Sequence, residues 1–295
     1  MDADVSAGTG AFADTPAADA ATGTRAGAVA SARPGTAGDA GAGRGRRAAW
    51  GRGLLVAFGV AALADLGSLV AGVDAGHVIA KPLLMPLLAA YAVVRGAPRP
   101  LIAALLFGWG GDVFLLADAN GDADWAFLVG MGSFAAGHVC YLVLFAGLGT
   151  SRAGASRAGA GRAGFDQAGA TRAGAKTSTL LGAGYAVALV TTVALLWPDL
   201  PAELRAPVAG YSLLLTAMAW RASGLGLYAG LGGALFLLSD TLIATGVAEW
   251  PQLPVPDFWI MLTYAAAQYL LVRGVLVRQE APASPSAYRE GRTTV

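Results

Sequence analysis

Six polar side chains interrupt long apolar stretches of this sequence, and they are of types that move protons or hold charge. They are Lys81, Asp112, His138, Asp240, Tyr264 and Gln268. Ionisable groups are costly inside a bilayer and usually face a protein-lined cavity. Two carboxyl groups in such a setting favour one protonated and one ionised group, which places a general acid beside a negative charge. The histidine is a further candidate for a proton donor or shuttle.

The composition around these side chains is that of a membrane protein. Of 295 residues, 56% are hydrophobic and 13% are charged, whereas about a quarter of the residues in soluble domains are charged. So few charges cannot cover a globular surface, and lipid is the solvent that tolerates this. The net charge of +1 provides no field that attracts nucleic acid, so no nucleic-acid partner is predicted. The single cysteine, Cys140, excludes an internal disulfide.

Eight apolar runs predict an all-α, polytopic bundle with eight transmembrane helices. Each run is near the length of about 20 residues that a membrane-spanning helix needs. The predicted spans are 54–73, 77–95, 100–118, 125–148, 180–197, 206–222, 224–246 and 257–277.

The basic residues predict cytoplasmic N- and C-termini. With that orientation, every Lys and Arg except Lys81 and Arg205 falls on the cytoplasmic side, as the positive-inside rule requires. A seven-span arrangement would break this alternation at one end. We therefore expect a multi-pass protein of a cell membrane. The bias toward Ala, Gly and Arg suggests a GC-rich genome, and we expect the membrane to be a bacterial inner membrane.

Low-complexity segments flank and interrupt the membrane domain, which is predicted over residues 51–278. Residues 1–50 are too poor in large apolar side chains to fold alone, so they predict a disordered N-terminal arm. Residues 151–179 repeat RAGA and have Phe165 as their only large apolar residue, which predicts a flexible linker. Residues 279–295 predict a disordered tail.

The spans place the six polar side chains at similar depths. At about 1.5 Å per residue, four of them lie roughly 6–11 Å below the outer boundary: Lys81, Asp112, Asp240 and Tyr264. Gln268 shares a helix face with Tyr264, because the two are four residues apart, and His138 lies near the same depth as Gln268. These positions predict a polar cluster in the outer half of the bundle, provided that the faces turn inward.

Two further ionisable residues are expected to stand apart from this cluster. Asp65 lies in the middle of the first span as an isolated bundle-facing group, and His77 is expected to face water near the outer end of the second span.

Five segments, in this order and spacing, carry a family resemblance: KPLLMPLLAAY (81–91), GDVFLL (111–116), GMGSFAAGHVCYLVLF (130–145), GALFLLSDTLIA (233–244) and TYAAAQYLLV (263–272). Together they resemble the YhhN-like lysoplasmalogenase family over roughly residues 54–277. The resemblance implies a membrane hydrolase that cleaves the vinyl ether bond of lysoplasmalogens into a fatty aldehyde and a glycerophospho-base. Its implied partners are a lysolipid substrate and membrane lipids.

The implied reaction gives the six side chains candidate roles. A vinyl ether hydrolyses when its β-carbon takes a proton and water captures the oxocarbenium ion, so the site needs an acid, a stabilising charge and a positioned water. The catalytic candidates are Asp112, Asp240 and His138, and either aspartate could be the acid. The substrate-binding candidates are Lys81, Tyr264 and Gln268, which could hold the lysolipid phosphate, a glycerol hydroxyl or the water.

Other chemistries fit the sequence less well. A nucleophile elbow needs glycines two residues before and two residues after its serine, and around Ser133 these positions hold Met131 and Ala135. One histidine and two aspartates form a thin ligand set, so neither a metal nor a cofactor is predicted.

The alternative function is a proton-coupled transporter of small molecules or lipids. Intramembrane Asp, Lys and His mark ion pathways, and the similar segments around the two aspartates, four spans apart, suggest a parallel repeat. A carrier needs polar groups that reach both sides, whereas these concentrate in the outer half. A third possibility is a structural or sensory protein whose buried charges only pair with one another.

Overall fold

The part of the chain that the structure describes is a bundle of eight α-helices. The computed structural model describes residues 37–119, 125–159 and 166–280, and no β-strand occurs within these ranges. The helices are α1 (Ala37–Ala71), α2 (Asp74–Val94), α3 (Arg99–Ala119), α4 (Ala126–Gly159), α5 (Asp166–Leu196), α6 (Ala202–Ser223), α7 (Leu227–Val247) and α8 (Pro256–Glu280). The predicted all-α class and the predicted number of helices are confirmed.

Three helices extend more than ten residues beyond the apolar runs that predicted them. Helix α1 begins at Ala37, inside the predicted arm. Helix α4 continues to Gly159, and α5 already begins at Asp166, so both extend into the predicted linker. Most of the segment 151–179 is therefore helical, where we expected a flexible linker. Alanine has the highest helix propensity, so these Ala-rich flanks can extend the helices without apolar side chains. The rest of the predicted arm, linker and tail (1–36, 160–165 and 281–295) lies outside the described residues.

Seven of the described helices are long and apolar enough to cross a membrane, and α6 is the exception. It carries Glu203 and Arg205 near its start and Arg221 near its end. Helix α6 packs against α4, α5 and α7, and these neighbours screen part of its surface from lipid. A helix in that position needs a narrower apolar face than one surrounded by lipid. That α6 also spans the membrane stays a prediction.

The helix contacts close a ring from which α5 is left out. Neighbours in the ring are α1, α2, α3, α4, α6, α7 and α8, and α8 returns to pack on α1. Helix α5 lies outside the ring and packs mainly on α6. Most of its described side chains are exposed, so α5 is a peripheral helix whose surface faces mostly lipid.

The connections between successive helices are short, so neighbours along the chain run antiparallel, with four of the seven connections at one end of the bundle and three at the other. We call the end with the α1–α2, α3–α4, α5–α6 and α7–α8 connections the outer end, after the charge bias of the sequence. At the opposite end Arg95 forms an ion pair with Glu280, which joins the ends of α2 and α8. The placement of the two ends relative to the cell stays a prediction.

Candidate active site

Asp112 is held by a tyrosine from the facing helix. The carboxyl group of Asp112 on α3 is buried, and the Tyr264 hydroxyl on α8 donates a hydrogen bond of 2.9 Å to its Oδ2. Gly108 lies one turn before Asp112 on α3. A Cβ atom added there would lie 3.2 Å from the Tyr264 hydroxyl and 3.3 Å from Gln268 Nε2. The glycine therefore lets both polar side chains of α8 reach this face of α3.

Gln268 is fixed one helical turn further along α8. Its Oε1 accepts a 2.7 Å hydrogen bond from the Tyr141 hydroxyl of α4. Gln268, Tyr264 and Tyr141 are all buried, so the face that the four-residue spacing predicted does turn into the bundle.

A second hydrogen-bonded group links α4, α6 and α7. The Tyr211 hydroxyl on α6 donates to Asp240 Oδ2 on α7 and lies 3.0 Å from His138 Nε2 on α4. Because Tyr211 gives its only proton to Asp240, its oxygen must accept from His138, which assigns the proton of the neutral imidazole to Nε2. His138 Nδ1 is then an acceptor, and it is buried without a hydrogen-bond partner in the described part of the chain.

Phe134 and Phe236 stand between these two groups. The Phe236 ring lies edge-on to His138 at 4.8 Å and to Tyr264 at 5.5 Å between centroids, and the Phe134 ring is 5.9 Å from Tyr264. Gly111 leaves space for the Phe134 ring, since a Cβ atom at this position would come within 2.4 Å of that ring. The two aspartates are separated by aromatic rings but are near enough to interact electrostatically.

A cavity of about 100 Å³ lies in the outer half of the bundle, between α3, α4, α5, α6 and α7. Most of its wall is apolar. Asp240 is the only ionisable carboxyl group among its lining residues, and Tyr211 lines it beside Asp240. Asp112 is absent from the lining, whereas Phe134 is part of it. Of the two candidate acids, Asp240 is therefore the one that a molecule in this cavity would meet.

Lys81 lies apart from both hydrogen-bonded groups. It is half-buried, and its charge acts on Asp112, but within the described residues it forms no hydrogen bond. The structure thus brings five of the predicted site residues into two adjacent groups and leaves Lys81 as a nearby charge.

Asp65 and His77 differ from their expected positions. Asp65 is not isolated, because its Oδ1 lies 2.8 Å from His77 Nδ1, and His77 is only 16% exposed instead of facing water. The expectation for both residues is wrong because α1 and α2 pack closely here: a Cβ atom on Gly76 would come within 2.5 Å of Ser68 Cβ. Asp65 Oδ2 is buried without a hydrogen-bond partner in the described residues.

Sequence reasoning missed the two tyrosines that connect the site. Tyr211 and Tyr141 lie in apolar runs, and a neutral tyrosine is common in such runs, so neither stands out as Asp240 does. The one available signal for Tyr141 was its spacing of three residues after His138, which places both on one side of α4. Within the described residues, no group of three or more His, Cys, Asp or Glu side chains could hold a metal ion.

Comparisons with known proteins identify the family of the chain. The model of the YhhN family matches residues 76–275, which is more than half of the sequence. The chain belongs to the YhhN family. The YhhN match runs from α2 into α8 and therefore contains all six predicted site residues, whereas α1 with Asp65 precedes it.

Curated relatives of this YhhN-family chain include proteins named lysoplasmalogenase. It is 35% identical to lysoplasmalogenase TMEM86B of Sus scrofa over 53% of the chain and 59% of that protein. It is 34% identical to the Homo sapiens protein of the same name over 55% of the chain and 61% of that protein. The chain thus spans about six tenths of these two relatives. It is 30% identical to the Mycobacterium tuberculosis lysoplasmalogenase over 72% of the chain and 76% of that protein. No solved structure matches the chain significantly.

Proposed function

We propose that this YhhN-family protein is a lysoplasmalogenase-type hydrolase of the bacterial cell membrane, with Asp240 as its acid. The observation that carries this proposal is the position of Asp240 and its partner Tyr211 on the wall of a mostly apolar cavity. An amphiphile suits such a site, because its apolar part can occupy the cavity while its ether bond meets the carboxyl group. The named relatives support the same substrate class.

Asp240 would begin the reaction by protonating the vinyl ether. The hydrogen bond from Tyr211 occupies Oδ2 and leaves Oδ1 to carry the proton to the β-carbon. The resulting oxocarbenium ion is stabilised by the carboxylate that remains. Water adds to the cation and returns its proton to Asp240. The hemiacetal then breaks into a fatty aldehyde and an alcohol, so that one water is consumed and the enzyme is regenerated.

Asp112 would support this chemistry through its charge and would not touch the substrate. It lies behind Phe134 and interacts with both Asp240 and Lys81. Ionising two buried carboxyl groups together is costly, so an ionised Asp112, which accepts a hydrogen bond from Tyr264 and lies within the influence of the Lys81 charge, favours a proton on Asp240. His138 keeps Tyr211 oriented toward Asp240, and Gln268 with Tyr141 fixes the α4–α8 contact behind the site.

The test compares three lysolipids that share a head group and chain length but differ in the bond: vinyl ether, saturated ether and ester. Purified protein in detergent or nanodiscs is expected to release aldehyde from the vinyl ether alone. The ester controls for lysophospholipase activity, and the saturated ether controls for contamination of the aldehyde signal. No release from the vinyl ether would overturn the proposal and leave the proton-coupled carrier as the alternative, to be examined by flux in proteoliposomes.

A further inference from the structure

The cavity is short compared with a lipid chain. Its lining runs from Val208 to Thr216 on α6 and from Val247 to Leu237 on α7. At about 1.5 Å per residue, this depth is roughly 12–15 Å. Asp240 lies three residues closer to the outer end of α7 than Leu237, and Tyr211 lies five residues closer to the outer end of α6 than Thr216. Only roughly 5–8 Å of apolar slot therefore remains on the inner side of the polar pair.

A membrane lysolipid does not fit into that slot. A chain that fills one leaflet is about 15 Å long, half of the hydrocarbon thickness of a bilayer. With the ether bond at Asp240 and the polar head group toward the outer end, the slot holds only the first few carbons of the chain. The remainder must leave the cavity at its inner end.

The inner end of the cavity reaches α5, the peripheral helix of the bundle. Ala188 of α5 lines the cavity, and it is exposed in a described stretch of α5 whose residues are mostly exposed. It lies eight residues before Leu196, the lining residue of α5 nearest the outer end, which puts it roughly 12 Å deeper, level with the inner end of the slot. Helix α5 is peripheral, and because the alanine side chain is small, the barrier between the cavity and the bilayer is thin at this position.

We propose that the hydrocarbon chain of the bound lysolipid leaves the cavity beside Ala188 and continues into the bilayer along α5. The identity of the occupant rests on the function proposed above. The site then binds the ether bond and the first carbons in protein while the distal chain stays in lipid. Such a site accepts long chains of any length, and it is sensitive to the width of the opening beside α5.

The activity test uses Ala188→Trp, which would fill the opening, and Ala186→Trp as its matched control. Ala186 is also exposed on α5 but does not line the cavity. Ala188→Trp is expected to lower kcat/KM at least tenfold for a long-chain vinyl-ether lysolipid. It should change kcat/KM less than threefold for an analogue whose chain, about four carbons long, ends inside the slot. An equal loss of kcat/KM for both chain lengths, or no loss for either, would overturn the proposal that the chain leaves the cavity beside Ala188.

A binding test separates this inference from the chemistry. A saturated-ether lysolipid carrying a nitroxide on its chain is not cleaved, and its immobilised fraction in nanodiscs reports binding directly. Ala188→Trp should weaken binding at least tenfold, and Ala186→Trp should leave it unchanged. If wild-type protein binds this probe in an Ala188-dependent way but releases no aldehyde, the route stands and the proposed reaction falls. If wild-type protein releases aldehyde but the probe binds equally to all three proteins, the route falls and the reaction stands.

Discussion

At the scale of single residues, Tyr211 is the side chain that connects the other polar groups around the cavity. It joins α4, α6 and α7 by its two hydrogen bonds, to His138 and Asp240, and it lines the cavity. A neutral hydroxyl that donates to a carboxyl group orients that group without removing its proton. Tyr211 therefore determines which oxygen of Asp240 faces a substrate.

Tyr211→Phe is expected to lower kcat by about 10²-fold, the lower range for a group that serves proton transfer. The ring remains, so the cavity keeps its shape, and the loss of the hydrogen bonds should cost about 1–3 kcal/mol of stability. Tyr185→Phe is the matched control, because Tyr185 on α5 bonds Ser223 at 3.0 Å and does not line the cavity. Aldehyde release by both variants checks this; equal activity of Tyr211→Phe and wild type would remove Tyr211 from the site.

His77→Ala is expected to destabilise the protein by leaving Asp65 buried without its partner. We expect a loss of about 1–3 kcal/mol, the cost of an unsatisfied buried polar group. Thermal unfolding in detergent measures it. Asp65→Leu in the His77→Ala background should restore part of the loss, since it removes the unpaired carboxyl group. A double variant less stable than His77→Ala would show that the pair is not what stabilises the α1–α2 contact.

At the scale of helices, glycines determine how closely α3 approaches α4. The tightest position is Gly111, where an added Cβ atom would meet the Phe134 ring at 2.4 Å. Phe134 also forms part of the wall between the two aspartates. Displacing this ring would change both the helix contact and the shape of the cavity.

Gly111→Ala is therefore expected to destabilise the protein by about 1–3 kcal/mol, as overpacking does. Gly132→Ala on α4 is the control, because nothing lies within 4 Å of a Cβ atom there. That change should be neutral or stabilising by about 0.5–1 kcal/mol, since alanine replaces glycine inside a helix. Thermal unfolding of the two variants, side by side, gives the comparison. A Gly111→Ala protein as stable as Gly132→Ala would contradict the close contact.

The sequence predicted the ends of helices well where the thickness of the bilayer sets the helix length, and poorly where a helix extends beyond the bilayer. Predicted span and observed helix agree within a few residues for α2 and α3, whereas the Ala-rich ends of α4 and α5 carry no apolar signal that marks a boundary. Facing directions followed from four-residue spacing, as for Tyr264 and Gln268. Partners across helices, such as Tyr211 with Asp240 or His77 with Asp65, depend on how the helices pack, which a single sequence does not contain.

At the scale of the whole molecule, the charge bias predicts that the cavity lies toward the outer face of the membrane. Cysteine labelling tests this in a Cys140→Ala background, which removes the only native thiol. Gln252→Cys lies at the outer end, after α7, and Arg221→Cys lies at the opposite end of α6; both positions are exposed. An impermeant maleimide should label Gln252→Cys in intact cells and Arg221→Cys only after permeabilisation. The reverse pattern would place the cavity on the cytoplasmic side.

The central claim is that Asp240 is the acid that cleaves a vinyl ether in this cavity. The most direct measurement is aldehyde release from a vinyl-ether lysolipid by Asp240→Asn and by Asp199→Asn, with thermal unfolding to confirm that both are folded. Asp199 is an exposed carboxylate at the outer end that accepts a hydrogen bond from Trp250 at 2.8 Å, so it controls for loss of a negative charge outside the cavity. We predict that Asp240→Asn loses at least 10³-fold in kcat, within the range for a general acid, and that Asp199→Asn keeps wild-type activity. A folded Asp240→Asn protein that still releases aldehyde at the wild-type rate would contradict the account.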